Sequence, residues 1–334
     1  MSQLPDLAEV SGVGVTASAA HRSRSVVHRL LPYTLLLVLV LEYLAFGAIK
    51  PTVFFSTQAF TAILSSQAPL LIATLGLTLT LIVREFDLTL GATLVFVNVM
   101  VTVLTAKVGL PLGVAVLLAL AAGTLIGAIN AVLVVGLKID SFIATLGMST
   151  LLTGIGLWIA GSTIVSNVPD ALIAVAGTRV LGVPLVVYYA FLLAGILWYA
   201  LTYLPVGRYM YFVGSNAEVA RLAGIKSGRV KAGAFVVSAF IFGIAGVMQA
   251  GTVGAADPTA GPSFMLPAFA AAFLGATAVR VGKFNIWGTM IASYLLFTGI
   301  TGLALLGFTG WVQNVFNGAA LLIAVIAARF ARRT

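Results

Sequence analysis

Long apolar stretches alternate with short polar breaks along nearly the whole chain. Most stretches run for about 20 residues, which is the length that a helix needs to cross the hydrocarbon core of a bilayer. They are continuous and show no period of two, so a membrane β-barrel is excluded. The polar breaks predict about ten crossings, at approximately 31–49, 57–81, 88–106, 111–136, 141–160, 182–204, 232–252, 264–279, 286–304 and 309–328.

Two predicted crossings depart from an unbroken helix. The second contains Pro69 close to the polar Gln67, and the eighth is short, so broken or re-entrant helices are expected there. The region 1–30 is polar and is predicted to be a disordered cytoplasmic tail, which leaves 31–334 as a single membrane domain. The connection 161–181 is long enough to carry a small external element.

Composition supports the same fold class. Hydrophobic residues make up 61% of the chain and charged residues 8%, with a mean hydropathy of +1.14. A soluble domain carries about a quarter charged residues, so the chain is predicted to be an all-α polytopic membrane protein. Cysteine is absent from the sequence, which excludes disulfides and thiolate chemistry.

The cations are distributed unevenly between the two sides of this topology. With the N-terminus inside, fifteen of the eighteen Lys and Arg residues fall on cytoplasmic segments, and the exceptions are Lys50, Lys107 and Arg179. This is the pattern of the positive-inside rule, and an odd number of crossings would destroy it. Both termini are therefore predicted to be cytoplasmic. The net charge of +9 reflects topology, and nucleic acid is not expected as a partner.

A short helix signal lies in the longest and most basic polar gap. Ser215 and Glu218 match a capping box, in which each side chain satisfies a free backbone N–H at a helix start. Gly224 supplies the stop signal, and Arg221 and Lys226 lie near the C-terminal end, where cations suit the helix dipole. A helix lying on lipid needs large apolar residues, whereas this one is mostly alanine. We therefore expect it to contact a partner protein.

Few residues at membrane depth could take part in catalysis, ion coupling or metal binding. Both histidines, His21 and His28, lie in the tail, and Glu42 is the only acid well within a predicted crossing. An intramembrane acid is a functional candidate by default, although a protonated or hydrogen-bonded structural residue explains it nearly as well. A gradient-driven carrier would depend on Glu42 alone. A membrane enzyme is disfavoured because no histidine or acid pair is available at this depth, and no metal site is predicted.

A nucleotide site is also not predicted. The nearest match to a phosphate-binding loop, Gly282-Lys283, lacks both the upstream glycine and the following hydroxyl residue. Energy for any transport must then come from a partner or from a gradient.

The polar residues at membrane depth are amides and hydroxyls: Gln67, Asn98, Asn130, Gln249, Thr252, Gln313, Asn314 and Asn317. Neutral donors and acceptors suit a neutral polyhydroxylated solute, but they also hydrogen-bond between helices. We take Gln67, Asn98, Gln249 and Asn314 as a tentative translocation path.

Four blocks, in order along the chain, resemble the ABC-importer permeases of the ribose/xylose type. They are Phe86–Gly91, Asn130 with Ser141–Met148, Gly207–Ile225, and Ala270–Thr277 with Trp287–Thr289. The resemblance runs from about residue 60 to the C-terminus. Departures at Ala131, Asp140 and 279–285 leave the transported sugar open.

The resemblance implies a permease of about ten helices in the bacterial inner membrane, paired with a second permease copy as a homodimer or heterodimer. It also implies a cytoplasmic ABC ATPase that binds ATP and Mg, so that this chain binds no cofactor itself. An extracytoplasmic sugar-binding protein would deliver the solute. Nucleoside and branched-chain amino acid permeases are relatives within this importer class, and the loop pattern favours a sugar.

The resemblance further assigns roles to residues. A coupling helix at about 215–226 would seat in the ATPase. The coupling positions are Gly207, Arg208, Ser215, Asn216, Glu218, Ala220, Arg221 and Gly224. The structural motif positions are Asp87, Gly91, Phe142, Thr145, Gly147, Gly275 and Gly288. Asp87 is also well placed to cap the third crossing, and the block at 142–147 is equally consistent with simple helix packing.

Overall fold

The computed structural model describes residues 31–308 and 310–331, and this part of the chain is almost entirely helical. The predicted tail 1–30 lies outside the described residues. The helices are α1 Thr34–Ile49, α2 Pro51–Phe54, α3 Thr57–Ser66, α4 Ala68–Ile82, α5 Leu90–Ala106, α6 Leu112–Ala131, α7 Ser141–Ala160, α8 Asp170–Gly177, α9 Leu185–Tyr203, α10 Pro205–Ser215, α11 Ala217–Leu222, α12 Ser227–Val253, α13 Gly261–Gly275, α14 Ile286–Leu305 and α15 Trp311–Ala331.

Three short elements complete the described fold. A 3₁₀ helix, Leu31–Tyr33, precedes α1, and a π-helical turn, Val132–Gly136, continues α6. Two-residue strands, β1 Arg179–Val180 and β2 Val183–Pro184, pair antiparallel with Arg179 opposite Pro184. Together with α8, this hairpin forms a small element that begins in the predicted external connection 161–181 and ends at Pro184, inside the predicted crossing 182–204.

The predicted crossings correspond to helices in the structure. Among the described residues, five helices of 19 to 27 residues are long and apolar enough to cross a bilayer alone, counting α6 with its π turn. Four shorter apolar helices, α1, α5, α13 and α15, coincide with further predicted crossings. The eighth crossing is short, as predicted, because α13 has 15 residues. The total of ten crossings stays a prediction.

The second predicted crossing is broken, as its sequence indicates. Helices α3 and α4 are bent by 41° relative to each other and together form a sixth candidate span. The break falls at Gln67, and Pro69 lies in the first turn of α4. Proline lacks a backbone N–H and fits the first turn of a helix, so it favours a new helix start here.

Helix α4 lies at the centre of the bundle. Every one of its residues is buried, and it packs against α12, α13, α9 and α14. The hydroxyls of Thr74 and Thr78 donate to carbonyls one turn back, at 2.7 and 2.9 Å, and Thr78 also meets Thr289 of α14 at 3.2 Å. These bonds satisfy polar groups that would otherwise be costly to bury.

Glycines bring the backbones of neighbouring helices into contact. Ser238 of α12 donates to the Gly76 carbonyl of α4 at 2.8 Å, and a Cβ on Gly76 would lie 2.9 Å from the Phe242 ring. Between α13 and α14, a Cβ on Gly288 would collide with the carbonyl oxygen of Gly275. Small residues of this kind permit the close packing on which membrane helices depend.

One end of the bundle gathers three connections, and we call it the cation-rich end. They are the loop 83–89, the segment 204–226 and the turn 276–285. Tyr211 donates to the Phe284 carbonyl at 2.9 Å, which joins the second connection to the third. The predicted cytoplasmic cations of these connections are therefore grouped by the fold. Which side of the membrane this end faces stays a prediction.

Different contacts hold the opposite end. Lys107 donates to the Ala160 carbonyl at 2.8 Å, and Val165 forms a β-bridge with Ala256. This grouping agrees with the charge-based assignment of Lys107 to the other side of the membrane.

We predict that Gly288→Ala destabilises the permease by about 1–3 kcal/mol, because the added methyl group forces α13 and α14 apart. The apparent unfolding midpoint of the purified protein in detergent would fall. Gly147→Ala is the matched control, since a Cβ on Gly147 meets nothing within 4 Å. Equal unfolding midpoints for the two variants would show that α13 and α14 can separate to accept the methyl group without a loss of stability, which would contradict the prediction.

Candidate functional site

Two consecutive helices, α10 and α11, form the exposed segment at the cation-rich end. Helix α10 begins at Pro205 and ends at Ser215, where the chain becomes extended at Asn216 (φ −154°, ψ 106°). The Oδ1 atom of Asn216 accepts from the N–H groups of Glu218 and Val219, at 3.0 and 3.1 Å. Asn216 is therefore the N-cap of α11, since asparagine is among the best residues at this position.

The predicted capping box of Ser215 with Glu218 is wrong. Ser215 is the last residue of α10, and the Glu218 carboxylate instead pairs with Arg221 of the next turn at 2.6 Å. This pair holds the pKa of Glu218 below its usual range through a side-chain hydrogen bond and the Arg221 charge. The helix is also shorter than the predicted 215–226.

The predicted stop at Gly224 is confirmed. Gly224 has a φ of +84°, and its N–H bonds the Arg221 carbonyl at 3.0 Å. The next N–H, of Ile225, bonds the Ala220 carbonyl at 3.0 Å. These two bonds form a Schellman motif, which favours glycine because of its left-handed conformation. Helix α11 is thus fixed at both ends despite its six residues.

The outer face of α11 is free in the described structure. Leu222 is 74% exposed and Val219 46% exposed, and the exposed Glu218–Arg221 pair lies beside them. Ala220 is fully buried on the inner face. The result is a small surface with two apolar side chains and one ion pair.

Close contacts connect this segment to the core. Helix α10 crosses the end of α4 so closely that a Cβ on Gly214 would collide with the Ile82 carbonyl oxygen. Gly207 similarly lies against the backbone of Leu201 in the turn between α9 and α10. On the other side of α11, Ser227 donates from the first residue of α12 to the Ala217 carbonyl at 3.0 Å.

The loop 83–89, which we call the Asp87 loop, is the second component of the site. Lys231 of α12 donates to Glu85 at 2.5 Å, and both side chains are largely buried. The N–H of Phe86 donates to the Ser141 hydroxyl at 3.2 Å, and the N–H of Leu88 donates to the Thr145 hydroxyl at 3.0 Å. The loop is thereby fastened to both α12 and α7.

Asp87 is fully buried. The prediction that it caps α5 is wrong. Its Oδ1 accepts from the N–H and hydroxyl of Thr89, at 3.0 and 2.5 Å, and Thr89 itself occupies the N-cap position. Asn130 of α6 donates to the Thr89 hydroxyl at 3.2 Å. Burial raises the pKa of Asp87 to about 6, although the two bonds from Thr89 favour the charged form. Asp87 therefore orders the loop rather than the helix.

The other motif positions divide into two groups. Gly91, like Gly275 and Gly288, lies at a close backbone contact, where a Cβ would collide with the Gly261 carbonyl. Phe142 is 51% exposed, and Gly147 faces open space.

The tentative path residues are not joined by hydrogen bonds to one another in the described part of the chain. Asn98 is buried and donates to the Ala255 carbonyl at 3.4 Å, which supports its structural interpretation. Gln67 and Gln249 are partly buried, and Asn314 is exposed. Their role in translocation stays a prediction.

Several residues of the site were not identified from sequence. Glu85 and Lys231 are 146 residues apart, so no local pattern connects them. Asn285 is the N-cap of α14, and its side chain bonds the Gly288 N–H and the Ala278 carbonyl at 2.8 and 3.0 Å. The sequence signal for Asn285 was available, because an asparagine precedes an apolar run there.

The fold and this site define a polytopic α-helical membrane protein. Residues 59–325 match the family described as the permease component of branched-chain amino acid transport systems, and the chain therefore belongs to that family. It is a membrane permease of the bacterial inner membrane and not an enzyme.

Several relatives have names that state a substrate. The ribose import permease protein of Haemophilus influenzae is 32% identical, over 83% of this chain and 87% of that protein. The fructose import permease protein of Rhizobium meliloti is 31% identical over 89% and 85%, respectively. The D-allose transport system permease protein of Escherichia coli is 30% identical over 89% and 91%. No solved structure matches the chain.

We predict that Lys231→Glu destabilises the permease by about 1–3 kcal/mol, because it removes the hydrogen-bond partner of the largely buried Glu85 carboxylate and puts a like charge beside it. The double variant Glu85→Lys/Lys231→Glu should recover part of this loss. The measurement is a double-mutant cycle on the unfolding midpoint in detergent. Reversing the exposed Glu218–Arg221 pair is the control and should leave the midpoint unchanged. Strict additivity at positions 85 and 231 would contradict the pairing.

Proposed function

We propose that this chain is the permease subunit of an ATP-driven ABC importer and that it translocates a monosaccharide. The observation that carries this proposal is the family match over 59–325, together with relatives named for ribose, fructose and allose import. In this proposal an extracytoplasmic binding protein delivers the sugar, and a second permease copy completes the pathway. ATP and Mg are bound by a separate ATPase subunit.

We propose that the ATPase docks on α11. The exposed Val219 and Leu222 supply apolar contact, and the exposed Arg221 and Glu218 supply polar contact at its rim. A helix of six residues is marginal in isolation, so its two caps matter for docking. They present a rigid surface to the partner before binding, which lowers the ordering cost of the contact.

Motion of α11 has two routes into the membrane. One runs through α10 to α4, where Gly214 touches the Ile82 carbonyl. The other runs through the Ser227–Ala217 bond into α12, which packs along α4, α5 and α6. The Asp87 loop links the two routes because Glu85 is bound to Lys231 of α12. ATP binding and hydrolysis would thus shift the packed helices between access states.

A gradient-driven carrier is the alternative, and it would need an ion site at membrane depth. Glu42 of α1 packs close to Gly299 of α14. Within the described residues, no salt bridge involves Glu42, and its Oε2 atom has no hydrogen-bond partner. A metal cation needs several oxygen ligands, so an isolated carboxyl group would suit a proton and not a metal cation.

The decisive experiment reconstitutes the chain in proteoliposomes with the ATPase and binding protein of its system, using radiolabelled ribose, fructose and allose as probes. We expect ATP-dependent uptake of at least one of these sugars and none with the chain alone. Uptake by the chain alone would overturn the ATP-driven mechanism. ATP-dependent uptake of a nucleoside or branched-chain amino acid, but of none of the three sugars, would overturn the substrate class only.

We predict that Asn216→Ala reduces transport about fivefold and that Gly224→Leu reduces it about five- to thirtyfold. The first removes the N-cap of α11, worth about 1 kcal/mol, and the second forces a β-carbon into a left-handed conformation that costs about 1–2 kcal/mol. Asn216→Asp is the matched control and should transport normally, since aspartate caps a helix about as well as asparagine. Membrane insertion and yield are measured in parallel. Normal uptake and normal ATPase stimulation in both cap variants would contradict docking at α11.

A further inference from the structure

A cavity of about 530 Å³ opens at the cation-rich end, beside Tyr211 of α10. We call it the Tyr211 cavity. Three exposed cations line it, namely Arg208 of α10 and Arg280 and Lys283 of the turn 276–285, and Leu201 and Thr202 of α9 form its inner wall. The Tyr211 hydroxyl, which is fixed by its bond to Phe284, also contacts Arg280. Three chain segments thus converge on one concave site.

The cavity carries an uncompensated positive charge in the described part of the chain. The salt bridges found there join Arg221 to Glu218 and Lys231 to Glu85, and neither involves a cation of the cavity. A second cavity of 280 Å³ shares Tyr211 and Lys283 and adds Arg84. Guanidinium groups bind phosphate oxygens through paired hydrogen bonds, so an oxyanion of phosphate type fits this lining.

The wall of the cavity lies where a membrane helix ends. Helix α9 is long and apolar enough to cross the bilayer, and Leu201 and Thr202 belong to its last turn. Trp198 packs edge-to-face with Tyr203 and at a tilt against Trp287, with ring centroids 5.6 and 6.0 Å apart. Aromatic clusters of this kind mark the membrane–water interface. The cavity therefore lies at the end of a candidate membrane span, where lipid headgroups are expected.

We propose that the Tyr211 cavity binds the phosphate headgroup of an anionic phospholipid. Basic pockets at the ends of membrane helices recognise such headgroups. A lipid is favoured over an acidic segment of the ATPase because the short stretch of chain between the lining residues Thr202 and Arg208 exposes Leu204 and Val206, which are apolar side chains suited to acyl chains. Arg208, which is predicted as an ATPase-coupling position, lines this cavity, and in this proposal its guanidinium group binds the lipid phosphate. The site stands apart from the sugar and ATPase proposals.

The test measures lipid binding to the purified full chain by native mass spectrometry. Phosphatidylglycerol is the probe, phosphatidylcholine is the neutral control, and inorganic phosphate is the soluble competitor. We expect saturable binding of phosphatidylglycerol that falls at least tenfold in the variant Arg208→Gln/Arg280→Gln/Lys283→Gln. Arg280→Lys should retain most of the binding because it keeps the charge. Lys138→Gln/Arg229→Gln removes two exposed cations outside the cavity and should not change it.

Three results would overturn the proposal. One is equal binding of phosphatidylglycerol by the triple variant and the parent chain. Another is displacement of the lipid by millimolar phosphate, which would assign the cavity to a free anion. The third is a triple variant that binds lipid normally but copurifies with less ATPase than the parent chain does, which would assign the cations to the protein partner. The substituted side chains are exposed, so a folded triple variant is expected, and size-exclusion chromatography checks it.

Discussion

Close approach of helix backbones is the constraint on which the rest of this structure depends. Lipid tails are as apolar as leucine side chains, so burying apolar surface cannot by itself hold membrane helices together. Helices here touch where Gly76, Gly275 and Gly288 leave room for a neighbour, and the Ser238 hydroxyl bonds the Gly76 carbonyl across such a contact. Interiors packed in this way change between discrete arrangements and do not deform gradually. Helices α4, α12, α13 and α14 therefore form one body.

The packing of these four helices determines how a displacement at the surface is transmitted through the bundle. Helix α12 has 27 residues, so it is about 40 Å long and reaches from one end of the bundle to the other. Near its start it is bonded to Ala217 and Glu85 through Ser227 and Lys231. Near its end a Cβ on Gly251 would lie 2.6 Å from the Leu172 carbonyl of α8. In the proposed importer, a displacement at α11 thus reaches the small element at the opposite end without passing through a flexible joint.

The helices could be predicted from sequence because a membrane crossing needs a long apolar run, and such runs are local. The break at Gln67 was predictable for the same reason, since Pro69 marks it. Competition between neighbouring residues for the N-cap position of α11 was harder to resolve from sequence. The Ser215–Glu218 pattern is a valid capping signal, but the neighbouring Asn216 takes the cap because α10 remains helical through Ser215.

Contacts between distant segments had no signal in a single sequence. The Asp87 loop is ordered by Ser141, Thr145 and Lys231, which belong to two other helices. Asp87 was expected at the N-cap of α5 because its residue type is favoured there, yet the fold buries it and places Thr89 at the cap. Motif positions could therefore be found from sequence, whereas the partner of each position required the fold.

Helix α10 connects the contact with α4 to the Tyr211 cavity. Its Gly214 end presses on α4, while Arg208 and Tyr211, one to two turns earlier, line the cavity at headgroup depth. The Pro205 end of this helix is held by two contacts, because Gly207 lies against the Leu201 backbone and Tyr211 donates to the Phe284 carbonyl. A phosphate bound at Arg208 would add a further restraint there, so movement of α11 would act on the Ile82 contact instead of tilting α10. In this view the lipid restrains the first turns of α10, and the ATPase moves its last turn through α11.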